Sequence, residues 1–359
     1  MDLFDSNETS PYSLKKKEKI IFLNEHLNSL FRHHYKNCDL FKKSMDAISY
    51  DYNREYNYYE LPFLPVRLFK LYDLKSIKDT DIVKTLTSSG TSGQAVSKIF
   101  LDKEAAALQT KTLSKIVSSF SGSKRSPMII IDSKSVLKDR RNFSARGAGI
   151  LGFSMFGKDH TYALDDEMNI NFDDLKKFLD RHKGENILMF GFTFIVYLHF
   201  YKELLKSDIK LDLTNATLIH GGGWKKMIEE SVSSDTFKAN LKEVCSINKV
   251  HDYYGMVEQT GTIYMECERG YLHTSKFSDV IIRREQDFSV AEDGESGIIQ
   301  VVSVLPKSYP GQSLLTEDEG VILGEDDCSC GRMGKYFKIN GRLKNAEIRG
   351  CSDTYGKGN

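Results

Sequence analysis

Residues 87–94 read TSSGTSGQ, and a lysine follows at position 98. Small hydroxyl residues alternate here with glycines, so the segment joins a flexible backbone to exposed N–H groups and hydroxyl donors. Such a loop can wrap a polyphosphate, although a solvated surface turn has the same composition. It is not a Walker A loop, because no Gly-Lys-Ser/Thr follows at the required spacing. The candidate phosphate contacts are Ser88, Ser89, Gly90, Thr91, Ser92, Gly93 and Lys98.

The pattern beyond this loop is that of an α/β protein. Buried strands are predicted by short apolar runs at 128–131, 187–192 and 217–219. Helices are predicted from the spacing of apolar residues near 103–118, 172–182, 194–206 and 225–243. Alternation of strands and helices implies a largely parallel sheet flanked by helices. After Tyr253, short segments such as 297–305 and 320–323 are separated by Gly and Asp turns, which predicts a small β-rich region near the C-terminus.

The chain divides into three predicted parts. Residues 1–78 form an N-terminal segment packed on the core, with a helix over about 13–35 and an irregular tyrosine-rich connector at 50–59. Residues 79–310 form the α/β core. Residues 311–359 form the β-rich region and a tail that we expect to be mobile.

Charge and composition exclude several classes of protein. The 359 residues contain 50 Lys and Arg against 50 Asp and Glu, so no net field favours nucleic acid or an anionic membrane. The longest apolar runs fall far short of the ~20 residues of a membrane-spanning helix, and the N-terminus has no secretory pattern. The six cysteines do not resemble a disulfide framework. We therefore expect a cytoplasmic protein without membrane insertion.

Two further segments could contact a nucleotide. Residues 219–224 read IHGGGW at the end of a predicted strand, and glycines at 221–223 would let a flat ligand approach the backbone. Residues 252–261 read DYYGMVEQTG, in which the carboxylate of Glu258 could hold Mg²⁺ beside bound phosphates. Each segment has another interpretation when it is taken alone. The glycine run could simply form a tight turn, and the glutamate could be a solvated surface charge.

In this order and spacing, the three segments resemble the adenylate-forming superfamily of acyl-CoA synthetases, adenylation domains and luciferases. The resemblance implies the large-domain α/β fold of that superfamily, ATP and Mg²⁺ as cofactors, and an acyl-adenylate product. It implies that Lys98 and Glu258 serve catalysis, with Glu258 as the magnesium ligand. It also implies adenine contacts at Gly221, Gly222, Gly223, Tyr254 and Gly255. Residues 315–318 read LTED, where the superfamily has Thr-Gly-Asp, so Asp318 inherits the contact to the ribose. Gly341-Arg342 resembles the hinge motif and implies that Arg342 lies near the nucleotide.

Three features depart from that pattern. Typical members continue past the Gly-Arg motif into a C-terminal domain with a catalytic lysine, whereas this sequence stops at Asn359. Glu317 replaces the glycine of Thr-Gly-Asp, and Leu343, Lys344 and Asn345 stand where acidic residues are expected. We therefore expect a chain without the usual C-terminal domain, which is either inactive or completes its site in another way.

The segment 347–353, EIRGCSD, favours the second alternative. Cys351 follows Arg349, whose charge would favour the thiolate. The length and this segment resemble the acyl-protein synthetases of bacterial bioluminescence operons, also called long-chain-fatty-acid–luciferin-component ligases. The resemblance implies a ligase that activates a fatty acid, carries it as a thioester on Cys351 and passes it to a fatty-acyl reductase partner. A buried, inert thiol is the other interpretation of Cys351.

Two other functions stay open. The first is a CoA ligase resembling phenylacetate-CoA ligase, which would release acyl-CoA. The second is a degenerate nucleotide-binding subunit of a reductase complex.

Four further residues have ligand types that suit a metal. Cys328 and Cys330 are separated by one residue, and Cys267 with His273 forms a second half. Three cysteines and a histidine could bind structural Zn²⁺ tetrahedrally. A Cys-x-Cys turn in a reduced protein is the alternative, because this spacing is tighter than that of the usual zinc knuckle.

Overall fold

The computed structural model describes residues 3–4, 10–88, 95–137, 145–224 and 230–343. No helix in these ranges is both long and apolar enough to cross a bilayer. The contacts between residues divide the described chain into two units. The first contains residues 3–4, 10–88, 95–119 and 255–343, and the second contains residues 120–137, 145–224 and 230–254. The predicted boundaries at residues 78 and 310 stay a prediction.

The helices predicted over about 13–35 and near 103–118 and 172–182 lie close to their predicted positions, whereas those at Asp39–Ala47, Leu68–Leu71 and Ala145–Ser154 were not predicted. In chain order the helices are α1 (Lys16–Asn37), α2 (Asp39–Ala47), α3 (Leu68–Leu71), α4 (Lys103–Ser121), α5 (Ala145–Ser154), α6 (Phe172–Arg181), α7 (Thr193–Ile195), α8 (Lys202–Lys206) and α9 (Ser234–Cys245). A π-helical segment, Val196–Tyr201, joins α7 to α8, so the predicted helix near 194–206 is confirmed with a change of winding.

The helix predicted near 225–243 begins later than expected. Residues 225–229 lie outside the described residues, and residues 231–233 are not helical. The helix starts at Ser234 because the side chain of Ser233 accepts a hydrogen bond from the backbone N–H of Thr236. A serine in this position satisfies one of the free N–H groups of the first turn.

The strands include every apolar run that the sequence analysis assigns to the core. In chain order they are β1 (Leu64–Pro65), β2 (Lys84–Thr87), β3 (Lys98–Leu101), β4 (Ser126–Ser133), β5 (Gly157–Leu164), β6 (Ile187–Phe192), β7 (Ala216–Gly221), β8 (Lys249–Tyr254), β9 (Tyr264–Glu266), β10 (Leu272–His273), β11 (Ser278–Arg283), β12 (Ser296–Ser303), β13 (Ser313–Glu325) and β14 (Lys335–Arg342).

The second unit contains a parallel sheet in the order β5–β4–β6–β7–β8. Strand β6 is buried along its whole length, and β4 is buried from Pro127 to Ser133. Continuous burial of this kind is expected where both faces of a parallel sheet are covered. The predicted parallel sheet flanked by helices is therefore confirmed.

The first unit contains an antiparallel sheet in the order β11–β12–β13–β14–β10–β9, and β1 pairs in parallel with β13. Strands β9 to β14 follow one another after residue 263, which confirms the β-rich region predicted late in the chain. Strands β2 and β3 of this unit form a separate antiparallel hairpin.

A buried charge cluster ties α1 to the antiparallel sheet. The carboxylate of Asp279 lies 3.4 Å from Nζ of Lys19 and 2.9 Å from Nζ of Lys335. The hydroxyl of Tyr58, from the tyrosine-rich connector, donates to the same carboxylate. Burial alone would raise the pKa of Asp279, but the two ammonium groups outweigh burial and hold that pKa well below its usual range.

Candidate nucleotide site

The hydroxyl- and glycine-rich loop begins and ends at the tip of the β2–β3 hairpin. Thr87 pairs with Lys98 in the register of the two strands. The backbone N–H of Ser88 donates to the carbonyl of Ser97 at 3.0 Å, and the N–H of Ser97 donates to Oγ of Ser88 at 2.9 Å. Ser88 is therefore held at the base of the loop. The candidate contacts Ser89, Gly90, Thr91, Ser92 and Gly93 lie outside the described residues.

Glu258 is buried beside this loop base. It lies on a short 3₁₀ turn, Val257–Gln259, and is only 5% exposed. Burial raises the pKa of Glu258, and the neighbouring Ser97 hydroxyl opposes that rise. The charge of Lys70 also lowers this pKa, whereas that of Glu317 raises it. A buried carboxylate with a raised pKa is an environment in which a bound cation would be favourable, because the ion would compensate the charge that burial penalises.

The turn that carries Glu258 is fixed by contacts with residues that are distant in sequence. The side-chain amide of Gln259 donates to the carbonyl of Val301 at 3.1 Å and to that of Gly311 at 2.9 Å. A Cβ atom on Gly311 would lie only 2.7 Å from the carbonyl oxygen of Glu258. The backbone therefore packs too tightly at this point for a side chain, and the turn has little freedom to move.

Asp318 and Arg342 are brought together by strand pairing. They face each other across β13 and β14, and Nε of Arg342 lies 3.3 Å from Oδ1 of Asp318. The N–H of Asp318 donates to Oγ1 of Thr316 at 3.1 Å, which in turn donates to the carbonyl of Ile299. The carboxylate of Glu317, which replaces the superfamily's glycine, pairs with Arg67 at 3.1 Å.

The glycine run of the second unit lies at the carboxyl end of β7. A Cβ atom on Gly221 would lie 2.6 Å from the ring of Tyr253, so glycine is required there for the ring to pack on the backbone. Gly222 has φ of +91°, a conformation that side chains rarely adopt. Nδ1 of the neighbouring His220 lies 2.9 Å from Oγ1 of Thr193. Burial lowers the pKa of His220 to about 3, so the imidazole is neutral at pH 7.

The remaining predicted residues are placed as follows. Tyr254 ends β8 and is half-buried, and Gly255 follows it. Nζ of Lys98 lies 3.3 Å from the carboxylate of Asp73 in a half-exposed ion pair. Cys351 lies outside the described residues.

Two contributors to the Glu258 environment were missed by sequence reasoning. Ser97 is fully buried, and the one available signal was its position as the small hydroxyl residue before Lys98. Lys70 lies on α3, far from every motif in sequence, and no local pattern marks it.

Comparison with solved structures identifies the fold. An open conformation of 2-hydroxyisobutyryl-CoA ligase in complex with 2-HIB-AMP and CoA gives a TM-score of 0.71, covering 97% of this chain and 81% of that chain at 12% identity. The same ligase in the postadenylation state gives 0.72 over 95% of this chain and 72% of that chain, also at 12% identity. The fold is therefore that of the adenylate-forming ligases, as predicted.

Sequence comparison defines the family within that class. Residues 2–357 match the family described as "Acyl-protein synthetase, LuxE", and the chain belongs to this family of ligases. A long-chain-fatty-acid–luciferin-component ligase of Vibrio harveyi is 22% identical over an alignment of 368 positions, which covers 98% of this chain and 91% of the relative. A protein of the same name from Aliivibrio fischeri is 24% identical over 310 residues, which span 82% and 77%. The family resemblance stated from the sequence is confirmed.

Proposed function

We propose that this ligase uses ATP to convert a long-chain fatty acid into an acyl-adenylate and then carries the acyl group on Cys351. The observation that carries the proposal is the family match over residues 2–357. The names of the two relatives support a long-chain fatty acid as the substrate. Because the reaction needs ATP and a reduced thiol, we place the enzyme in the cytoplasm.

In the first half-reaction, a carboxylate oxygen of the fatty acid attacks the α-phosphorus of ATP. The bond from that phosphorus to the bridging oxygen breaks, and pyrophosphate leaves. Mg²⁺ bound through Glu258 would neutralise the charge that develops on the phosphates. The burial of Glu258 and the raised pKa of its carboxyl support this assignment.

The other residues would position the nucleotide. Donors at the tip of the β2–β3 hairpin and Lys98 would contact the phosphates. Asp318 would accept hydrogen bonds from the ribose hydroxyls, and its neighbour Arg342 would orient the carboxylate for this contact. The backbone around Gly221 would approach the flat face of the adenine, with Tyr254 beside it.

In the second half-reaction, the Cys351 thiolate attacks the carbonyl carbon of the acyl-adenylate. A carbon–sulfur bond forms, the carbon–oxygen bond to the phosphate breaks, and AMP leaves with the electron pair. The charge of Arg349 would favour the thiolate over the thiol. The resulting thioester is an activated acyl group, which a fatty-acyl reductase partner could reduce to an aldehyde.

The test is the mass of the intact protein after incubation with ATP, Mg²⁺ and a mixture of fatty acids. The wild type should gain one hydroxylamine-labile acyl group, and Cys351→Ala should gain none. Cys245→Ala is the matched control, because Cys245 is a buried cysteine whose thiol donates to the carbonyl of Leu241. This control should be acylated like the wild type.

Exchange of pyrophosphate into ATP separates the two half-reactions. Cys351→Ala should retain the exchange, because adenylate formation precedes thioester formation. AMP production that requires added CoA, with no acyl-protein, would instead identify a CoA ligase. No exchange in either protein, with or without the reductase, would leave a nucleotide-binding subunit.

A further inference from the structure

Three cysteines and one histidine converge at one end of the antiparallel sheet. One ligand atom from each of Cys267, His273, Cys328 and Cys330 lies within 4.8 Å of every other. Nε2 of His273 is 3.4 Å from Sγ of Cys330. Cys330 is partly exposed, the other three side chains are buried, and all three cysteines are free thiols.

Strand pairing makes neighbours of residues that are distant in sequence. Strand β10 pairs with β9 on one side and β14 on the other, so His273 lies opposite both Met265 and Tyr336. Cys267 directly follows β9, and the two remaining cysteines precede β14. The register of these strands therefore gathers the four ligands into one cluster.

Backbone N–H groups approach the sulfur atoms of two of the cysteines. The N–H of Arg269 donates to Sγ of Cys267 at 3.3 Å, and the N–H of Arg332 approaches Sγ of Cys330 at 3.5 Å. In both turns the N–H group belongs to the residue two positions after the cysteine. Hydrogen bonds from such outer groups orient metal ligands and offset the negative charge of the sulfur.

We propose that Cys267, His273, Cys328 and Cys330 bind one Zn²⁺ ion in a structural site. Three sulfurs and one imidazole nitrogen form the donor set of a tetrahedral zinc centre. Mg²⁺ and Ca²⁺ prefer oxygen ligands and would bind this donor set poorly. Four protein ligands leave no open position for a substrate, which is typical of a structural rather than a catalytic site. The ring of Tyr336 stacks on His273 at 5.7 Å and covers the imidazole.

The metal would hold together segments that lack regular structure. Residues 326–334 connect β13 to β14 without helix or strand. The N–H of Met333 donates to the carbonyl of Tyr12 at 3.0 Å, and the N–H of Lys16 donates to Oδ2 of Asp326 at 2.8 Å. This connection therefore supports the chain that leads into α1. A zinc ion would bind it to the β9–β10 turn and stabilise both.

Metal analysis of the purified protein tests the proposal without ATP, fatty acid or acylation. We expect about one zinc per chain after dialysis. Cys267→Ala and Cys330→Ala should lose most of this zinc, whereas Cys245→Ala, which removes a buried cysteine outside the cluster, should keep it. Stripping the wild type with a chelator should lower its Tm by several degrees, and one equivalent of Zn²⁺ should restore it.

Cobalt substitution tests the wild type directly, in case the variants fail to fold. Apoprotein titrated with Co²⁺ should give the intense visible bands of a tetrahedral thiolate site, which saturate at one equivalent and are displaced by Zn²⁺. Wild-type protein that holds no zinc and gives no such bands would overturn the proposal. So would full zinc retention in the Cys267→Ala, Cys330→Ala double variant. Pyrophosphate exchange tests the proposed function separately, and loss of acylation alone would not affect this result.

Discussion

Replacement of Glu258 by glutamine separates the proposed metal-binding role of this carboxylate from its effect on stability. The substitution keeps the size of the side chain and removes its charge. Glu258 is 5% exposed, and burial raises its pKa above that of the unfolded chain. Between the unfolded and folded pKa values the folded state binds more protons, so stability falls as pH rises through this interval. At neutral pH the ligand-free Glu258→Gln protein should therefore be at least as stable as the wild type.

The rate of adenylate formation, in contrast, should fall in Glu258→Gln. A metal ion at a phosphoryl group stabilises the transition state by several kcal/mol. If the amide weakens this effect by about 3–4 kcal/mol, the rate of adenylate formation falls by about 10²–10³-fold. If Glu258→Gln is stable but forms the adenylate this slowly, the carboxylate of Glu258 serves function at a cost in stability.

The assay is pyrophosphate–ATP exchange across a range of Mg²⁺ concentrations, together with a thermal melt of the ligand-free protein. Glu266→Gln is the control, because Glu266 is equally buried in the same unit and belongs to no predicted site. Exchange by Glu258→Gln at the wild-type rate and with the same Mg²⁺ dependence would refute the ligand assignment. A melting temperature several degrees below that of the wild type would refute the argument from burial.

Two further predictions concern packing and charge. Asp279→Asn should lower the free energy of unfolding by about 3–5 kcal/mol, because two buried ammonium groups lose their counter-charge. The pKa of Asp279 is lowered by folding, so this difference should be full above about pH 4 and diminish at lower pH. Denaturant titration measures it, with the exposed Asp293→Asn as the control, and an equal loss in both variants would contradict the reasoning. Gly221→Ala should destabilise by about 1–3 kcal/mol and raise the KM for ATP, because its Cβ would meet the ring of Tyr253. Gly152→Ala, in helix α5, has open space at its Cβ and should be neutral or slightly stabilising. Similar melting curves and KM values for the two alanine variants would contradict the packing argument.

The sequence predicted best those elements whose signal is local. Continuous apolar runs marked β4, β6 and β7, because a strand covered on both faces needs apolar residues throughout. The order of the motifs indicated the superfamily and its fold, and the length with the segment 347–353 indicated the family. The start of α9 was wrong by several residues, because helical periodicity does not reveal which hydroxyl group caps the first turn.

The candidate site was predicted as a set of motifs, and its contacts were not. No local pattern marks Lys70, and the position of Ser97 before Lys98 does not reveal that its hydroxyl influences the pKa of Glu258. The pairing of Asp318 with Arg342 likewise depends on the register of two long strands with bulges between them. Such contacts join residues separated by tens to hundreds of positions, which short-range periodicity cannot specify.

The sequence by itself determined the buried strands, most of the helices, the candidate nucleotide motifs and the residue types of the cysteine–histidine cluster. Only the tertiary structure decided that Glu258 is buried beside the loop base and that Cys267 and His273 meet Cys328 and Cys330. The physical reason is that residue spacing encodes which face of an element is apolar, whereas strand order and register decide which distant side chains become neighbours. Burial and pairing then set the pKa of each charged group, so electrostatic properties belong to the folded chain.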